Sequence, residues 1–554
     1  MKKVVDGSTE PGSEDSAPSE IVRGKMGRRA FLKGALATAP LLLAGPMILT
    51  PRKSHADDFN PKKFPGNMGP STKTEPYMIP STAGVEIISI LSVGDSIGGY
   101  RMVGIPDGLG AYDSAKGNFT LLMNHEITIG RPGIKRAHGS NGAFVSQWTI
   151  DRQTLKVLKG QDLTPSGDNV FVWDAATEHY LKGTTVWQRL CSADLPEESA
   201  LFAKGKGTKE QIFFNGEEVT DPTSSRPWAR IATGPYAGEA WHLPRLGRMS
   251  YENVVACPHA QEKTVIMLTD DGDLNTAATS SGFPSEVYVY IGEKRRDGHP
   301  IVQAGLTDGN FYGVKISVNG SAVTEESDLF GLGSSTSGFI GKGRFSLHNF
   351  GDVSNLTQRQ IEDASIAAGV ARLRRPEDGA WDPRNRRNND FYFVTTADIN
   401  TNSRLWRLRF DDIEEPEQGG TIEILLDGSE GHRMLDNVTV DRHGRILMDE
   451  DPGGNNRIAK LWLYDIEKDQ LIQVAEHTPK FFDPTIPNNS AFITNDEESS
   501  GIIDAEHILG RGWFLFDVQS HKVNTVDPEL VEGGQLLAMF VDPGIGGGHD
   551  EDDT

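Results

Sequence analysis

The chain is poor in cysteine: only Cys191 and Cys257 occur in 554 residues. That count excludes a framework of disulfides, so a packed core, aided by metals, must hold the fold. An oxidising compartment would still allow the two to pair. The chain also lacks basic surplus, with 55 Lys and Arg against 78 Asp and Glu and a formal charge of −23. Such a surface repels nucleic acid and anionic lipid, which removes both as partners. The same acidity suits hard cations, which take oxygen ligands. No GxSxG elbow, HExxH helix or Walker loop is present. The GKG triplets at 205–207 and 341–343 do not follow a strand as a phosphate-binding loop would. DDGDLN (270–275) opens like an EF-hand loop, but Ser281 stands where the bidentate Glu is required. What the chain does have is 61 Gly, 30 Pro and 37% hydrophobic residues. This composition gives a large core with many turns rather than long helices.

The first 56 residues read as an address rather than as fold. Arg28 and Arg29 precede Ala30, Phe31, Leu32 and Lys33, and an apolar segment follows at 34–50. A membrane span needs roughly 20 apolar residues, so this one is short and stable membrane insertion is not expected. Ser54, His55 and Ala56 then offer small residues for cleavage. The pattern resembles a twin-arginine export signal, with Gly27 where Ser or Thr is common. The expected organisation is a signal over 1–56, a single folded domain over 57–545 and a disordered acidic tail over 546–554. The twin-arginine machinery would be a partner, and the location periplasmic or extracellular.

Beyond the leader, one pattern recurs. TLLMNHE (120–126), TVWQRLCSAD (185–194), TVIMLTDDGD (264–273), FYFVTTAD (391–398), RILMDEDPGG (445–454) and GWFLFDVQSH (512–521) are apolar strands that run into polar, mostly metal-capable residues. Several are followed by a loop and an alternating strand, such as FVSQWTIDRQT, EVYVYIGEKRRDG, RLWRLRFDD and KLWLYDIEKDQ. Period-two alternation fits strands that bury one face. Strand, polar loop, strand and turn is the content of a propeller blade. The expected fold is therefore all-β, a propeller of about six blades with loop insertions and minor helices; a two-sheet sandwich is the alternative. In a propeller the repeated strands would be innermost, and their polar ends would meet at one axial mouth. The stretches 204–247 and 306–345 read as insertions, and 357–374 as a helix.

Candidate residues follow from those ends. Glu126 stands beside His125. Glu252 lies in GRMSYENV, before a repeated strand closed by Asp270 and Asp271. Adjacent carboxylates on extended chain face opposite sides, so at most one of that pair enters the mouth. In LRRPEDGAWDP, Arg375 and Glu377 lie two apart and would share a side, offering an anion a guanidinium fork next to a metal ligand. Asp436 and Asn437 precede one strand, and Asp449, Glu450 and Asp451 end the next. Glu498 lies in DEESSGI. Cys191 is a soft ligand that would select a transition metal, a buried apolar residue, or half of a disulfide with Cys257.

Taken in order, LLMNHE, GRMSYENV, TDD, RRPED, LDN and EESSG followed by FDVQSH resemble the PhoX-type alkaline phosphatases, over about 119–521. The resemblance implies an exported, monomeric propeller that hydrolyses phosphate monoesters at an iron–calcium cluster in the channel mouth. It implies metal roles for Glu126, Glu252, Asp271, Glu377 and Glu498, with Ca2+ and Fe3+ as cofactors. Asp436 becomes a calcium ligand or a support for one, and Cys191 matches the family's iron-binding cysteine. Arg375 and Glu377 become the catalytic pair, Arg375 steadying the phosphoryl oxygens. Two departures stand out. Cys191 is followed by Ser192, Ala193 and Asp194 where the family has two acidic residues, and Tyr251 precedes Glu252 where His is common. Two other functions fit a divergent chain: a calcium propeller hydrolysing lactones or esters, and a non-catalytic propeller stapled by calcium.

Overall fold

A computed structural model describes residues 64–220, 225–272, 284–330 and 342–546. The expected leader lies outside the described residues, as does all but the first residue of the expected tail. The repeated apolar runs form strands because they are buried on both faces; Asn118–His125 is buried at every position after the first. Strands of this kind sit inside a stack of sheets, and the described chain forms such a stack.

Five sheets of at least four strands, antiparallel but for one pairing, surround one axis as six blades, because one eleven-stranded sheet supplies two of them. Blade 1 runs outward through Pro106–Ser114, Asn118–His125, Phe144–Asp151 and Val157–Asp162. Blade 2 begins at Leu190–Asp194, blade 3 at Tyr251–Ala256, blade 4 at Pro376–Trp381, blade 5 at Leu435–Val440 and blade 6 at Glu497–Asp504. These six innermost strands touch in succession, and that of blade 6 returns to that of blade 1, closing the ring. Blade 6 takes its outermost strand, Val85–Ser92, from the N-terminal side of the chain, paired with Gly533–Val541. Lys342–Gly351 joins the outer edges of blades 3 and 4 into one continuous sheet. Apolar cores fill the gaps between blades; one, for example, packs Val289 and Met267 of blade 3 against Phe393 and Trp406 of blade 4.

Three expectations change. The repeated strands are second from the axis in five blades; only the segment that carries Cys191 is innermost. The true inner strands carry polar residues near their starts, and three of them, Pro106–Ser114, Pro376–Trp381 and Glu497–Asp504, carry glycine where they crowd the axis. At Gly108 a Cβ would stand 2.5 Å from the Ala193 nitrogen, and at Gly379 2.3 Å from the Phe391 ring. The stretch 204–247 is not an insertion: Ile212–Glu217, Pro227–Ile231 and Ala240–His242 build blade 2. Likewise Asn310–Val318, within 306–345, is the fourth strand of blade 3. The helix covers only Gln358–Ala368. Thr357 and Gln360 cap it reciprocally, and Gly369 ends it in a left-handed conformation. The residues beyond turn into the strand Arg372–Arg374.

Candidate metal centre

Every innermost strand is out of register with its neighbour at one place. The shifts fall at 107/109, 190/193, 251/253, 376/379, 435/438 and 500/503. Five of them bracket or begin at Asp107, Cys191, Glu252, Glu377 and Asp436; the sixth follows Glu498. A bulge breaks the strict alternation of a strand and re-aims side chains. Six such bulges turn acidic side chains of the ring toward one end of the channel.

The result is a chain of donors in which each group shares a member with the next. Asp107, Glu126 and Cys191 bring ligand atoms within 4.8 Å of one another; so do Cys191, Glu218 and Glu252; Glu252, Glu377 and Asp436; and Asp436, Asp451 and Glu498. TLLMNHE ends in a carboxylate for this reason: Glu126 leaves the strand with its N–H on the Ile105 carbonyl (2.9 Å) and enters the group. His125 does not join it. It is buried, stacks on Phe144 at 4.2 Å and bonds Ser146, and burial pushes it down to about 3.

Eight carboxylates and a thiol are thus linked, nearly all buried. Burial, followed by mutual repulsion, pushes Asp107, Glu252, Glu377 and Asp436 well above the carboxylate range. It pushes Glu218 up to about 8 against the pull of Arg189, and Asp451 to about 7. Glu126 is the exception: burial raises it, but Arg189 and His521 outweigh burial and lower it. A dry cluster of like charges is costly unless cations neutralise it. Oxygen donors in this number fit hard cations such as calcium. The single Cys191 sulfur, 2.6 Å from Glu218 Oε2, adds one soft donor of the kind a transition metal takes. The donor set therefore fits the implied metals.

Neutral groups hold the acids in place. Ser192 Oγ donates to Glu252, and Asn437 Nδ2 donates to Ser192 Oγ at 2.8 Å. Gln519 Nε2 lies 3.1 Å from Asp107 Oδ2 and 3.2 Å from Glu126 Oε2 and Glu498 Oε1.

Three cations ring the solvent side. Arg189, Arg375 and His521 keep 39%, 27% and 25% of their side chains exposed, against 4–11% for Glu126, Glu218, Glu377 and Glu498. Arg375 sits at φ 57° rather than in the expected extended backbone, yet its guanidinium still meets Glu377 at 3.1 Å. Asp271 grips it with two bonds of 2.8 and 2.7 Å and belongs to none of the four linked groups. Arg189 spans Glu126 (2.7 Å) and Glu218 (2.6 Å). His521 lies between Glu532 (2.8 Å) and Glu498 (3.5 Å); burial would lower it, but these acids outweigh burial and raise it. Both rim arginines spend Nε and Nη2 inside the protein, and none of these bonds uses Nη1.

The structure thus brings together Glu126, Cys191, Glu252, Glu377, Asp436 and Glu498, with Asp271 and Arg375 at the rim. Both cysteines are free, which removes the disulfide alternative. Sequence reading missed Asp107, Glu218, Arg189, Gln519 and His521 as site residues. The doublet Glu217–Glu218 at a strand end was the available signal for one of them. A separate cavity of about 220 Å³ is lined by Asp378, Val255, Trp381 and Ile502 among others, and by none of the nine donors.

No family model and no curated protein matches this chain. Among solved structures, the chain is similar to Pseudomonas fluorescens PhoX in complex with vanadate, a transition-state analogue. The identity is 12% and the TM-score 0.54, over 85% of this chain and 99% of that one. It is also similar to a gluconolactonase from Xanthomonas campestris, at 11% identity and TM-score 0.33, over 80% of this chain and 98% of that one. The second likeness is too distant to carry weight. With the ring of blades described above, the first establishes that the chain has a PhoX-like propeller fold.

Proposed function

We propose that the chain is an exported, metal-dependent phosphatase that hydrolyses phosphate monoesters at the channel mouth, with calcium and iron as its metals. The observation that carries this reading is the layering of charge. An acidic floor of eight linked carboxylates and Cys191 is overlaid by the half-buried cations Arg189, Arg375 and His521, which are more exposed than the acids they contact. A protein of net charge −23 repels phosphate overall, so an anion site needs a local reversal of field, and this layering provides one.

The floor residues would hold the cations: Glu126, Glu218, Glu252, Glu377, Asp436 and Glu498 through oxygen, and Cys191 through sulfur. When bound, such metals supply Lewis-acid polarisation of the phosphoryl oxygens and neutralise their charge. Asp271 fixes the Arg375 fork through Nε and Nη2, which leaves Nη1 for an equatorial oxygen as charge spreads in the transition state. Arg189 likewise leaves its Nη1 out of the bonds to Glu126 and Glu218. Gln519 keeps Asp107, Glu126 and Glu498 in one arrangement, which preserves alignment during turnover.

The test is an assay of the purified, metal-loaded protein on a chromogenic phosphate ester. Turnover inhibited by vanadate is expected. Absence of turnover with metals verified as bound would refute the proposal, and turnover on a lactone but not on the phosphate ester would transfer the site to the rival hydrolase.

A further inference from the structure

Asp270 and Asp271 are neighbours that face opposite ways. Asp271 grips Arg375 at the mouth. Asp270, the last residue of the strand Lys263–Asp270, turns into a separate group with Glu286 and Glu362. Glu286 is the third residue of the next strand of blade 3, Pro284–Glu293, where it pairs with Arg372, and Glu362 lies on the helix Gln358–Ala368. The three residues bring carboxylate oxygens within 4.8 Å of one another, and all are buried. None of them belongs to the central chain of donors.

Glu286 makes this more than a cluster of acids. Its side chain is 0% exposed, and no N–H or hydroxyl donates to either carboxylate oxygen; the Glu362 carboxyl is its hydrogen-bonding neighbour. Arg372 Nε stands 4.0 Å from it, and Nη1 of the same guanidinium donates to Glu325 at 3.0 Å. Asp270 accepts from the Ser250 N–H at 2.9 Å, and Tyr288 with Ser365, joined at 2.9 Å, lies beside the group. Burial, then the charges of Glu362 and Asp270, pushes Glu286 well above its ordinary range. A buried carboxylate with no donor is expensive to maintain.

The geometry points to a second cation site, formed by Asp270, Glu286 and Glu362, that takes calcium. Three carboxylates without a soft donor select a hard cation that accepts many oxygens at flexible geometry. The ion would pin the helix carrying Glu362 to blade 3. It would also fix the backbone of Asp270, and so the neighbouring Asp271 that orients Arg375. The competing occupant of the gap is a proton shared between Glu286 and Glu362.

Elemental analysis of the full-length protein separates the two. Glu286→Gln and Glu362→Gln keep shape and hydrogen-bonding capacity but remove charge. The expected result is a loss of one calcium equivalent per chain in each variant, with iron content unchanged. A folded variant that retains the full calcium count overturns the site. For variants that do not fold, a crystal structure of the wild-type protein grown with calcium decides. Density coordinated by the three carboxylates supports the site, and two carboxyl groups in direct contact with no ion between them refute it.

Discussion

At the residue scale the account rests on a few side chains whose surroundings leave little choice. Arg375 is held at φ 57° and clamped by Asp271 with two bonds. Strain of this kind persists where the surroundings enforce it, commonly at working sites. Lysine keeps the charge but lacks the fork. Arg375→Lys is therefore expected to lower kcat/KM on a phosphate ester by about 100-fold, the order seen when one transition-state donor is removed, with the melting temperature little changed. A variant retaining full activity would take Arg375 out of the chemistry. A second residue speaks to stability alone. His477 is buried in blade 5, neither ring nitrogen is hydrogen-bonded, and burial pushes it down to about 3. Unfolded, it titrates near 6.5, so below that pH the unfolded chain binds the extra proton. Its contribution is complete above about pH 6.5 and is lost as pH falls toward 3. His477→Phe should flatten the acid limb of a stability-against-pH curve, and an unchanged limb would assign acid lability to other groups.

At the scale of elements, bulged inner strands do what regular strands do not. Asp107 and Gly108 show the constraint: the Asp107 carboxylate accepts the Gly108 N–H at 2.6 Å, and a Cβ on Gly108 would press on the Ala193 and Ser192 backbone. Gly108→Ala should destabilise by roughly 1–3 kcal/mol, the usual cost of overpacking, and should also reduce metal content, because Cys191 and Ser192 lie on the displaced strand. A denaturant melt with metal analysis checks both, and wild-type values would show that the inner strands yield freely. The same bulges explain what the sequence left obscure. Runs such as TLLMNHE were legible as strands because uninterrupted apolar burial survives in composition; of their polar ends, Glu126, Asp271, Asp451 and His521 lie in the donor groups or beside them, while Asp194 and Asp398 do not. The inner strands were not legible: Gly, Asp and Asn at a crowded axis look like turns, and a bulge erases the period of two. Glu218 was lost because its surroundings read as an insertion, and Arg189 because its left-handed backbone, φ 38°, leaves no pattern. The opposed facing of Asp270 and Asp271, by contrast, followed directly from strand geometry. The helix was over-extended past Gly369, whose left-handed cap is what ends it.

At the scale of the whole molecule, the ring brings together residues as distant in sequence as Asp107 and Glu498, so the cluster exists only when all six blades are closed. Closure depends on Val85–Ser92 completing blade 6 beside Gly533–Val541. Binding of ions to the folded state alone stabilises it by mass action. Treatment with a chelator should lower the melting temperature by several degrees, and calcium should restore it; a melt indifferent to both would mean the acids are neutralised by protons. Among the described residues no helix is long and apolar enough to cross a membrane. The central claim is that six blades deliver one shared set of metal donors. Anomalous diffraction from crystals of the metal-loaded protein tests it most directly. The account predicts metal peaks at the channel mouth within coordinating distance of Cys191, Glu252, Glu377 and Asp436. Peaks confined to other places, or carboxylates at the mouth bonded only to one another, would contradict it.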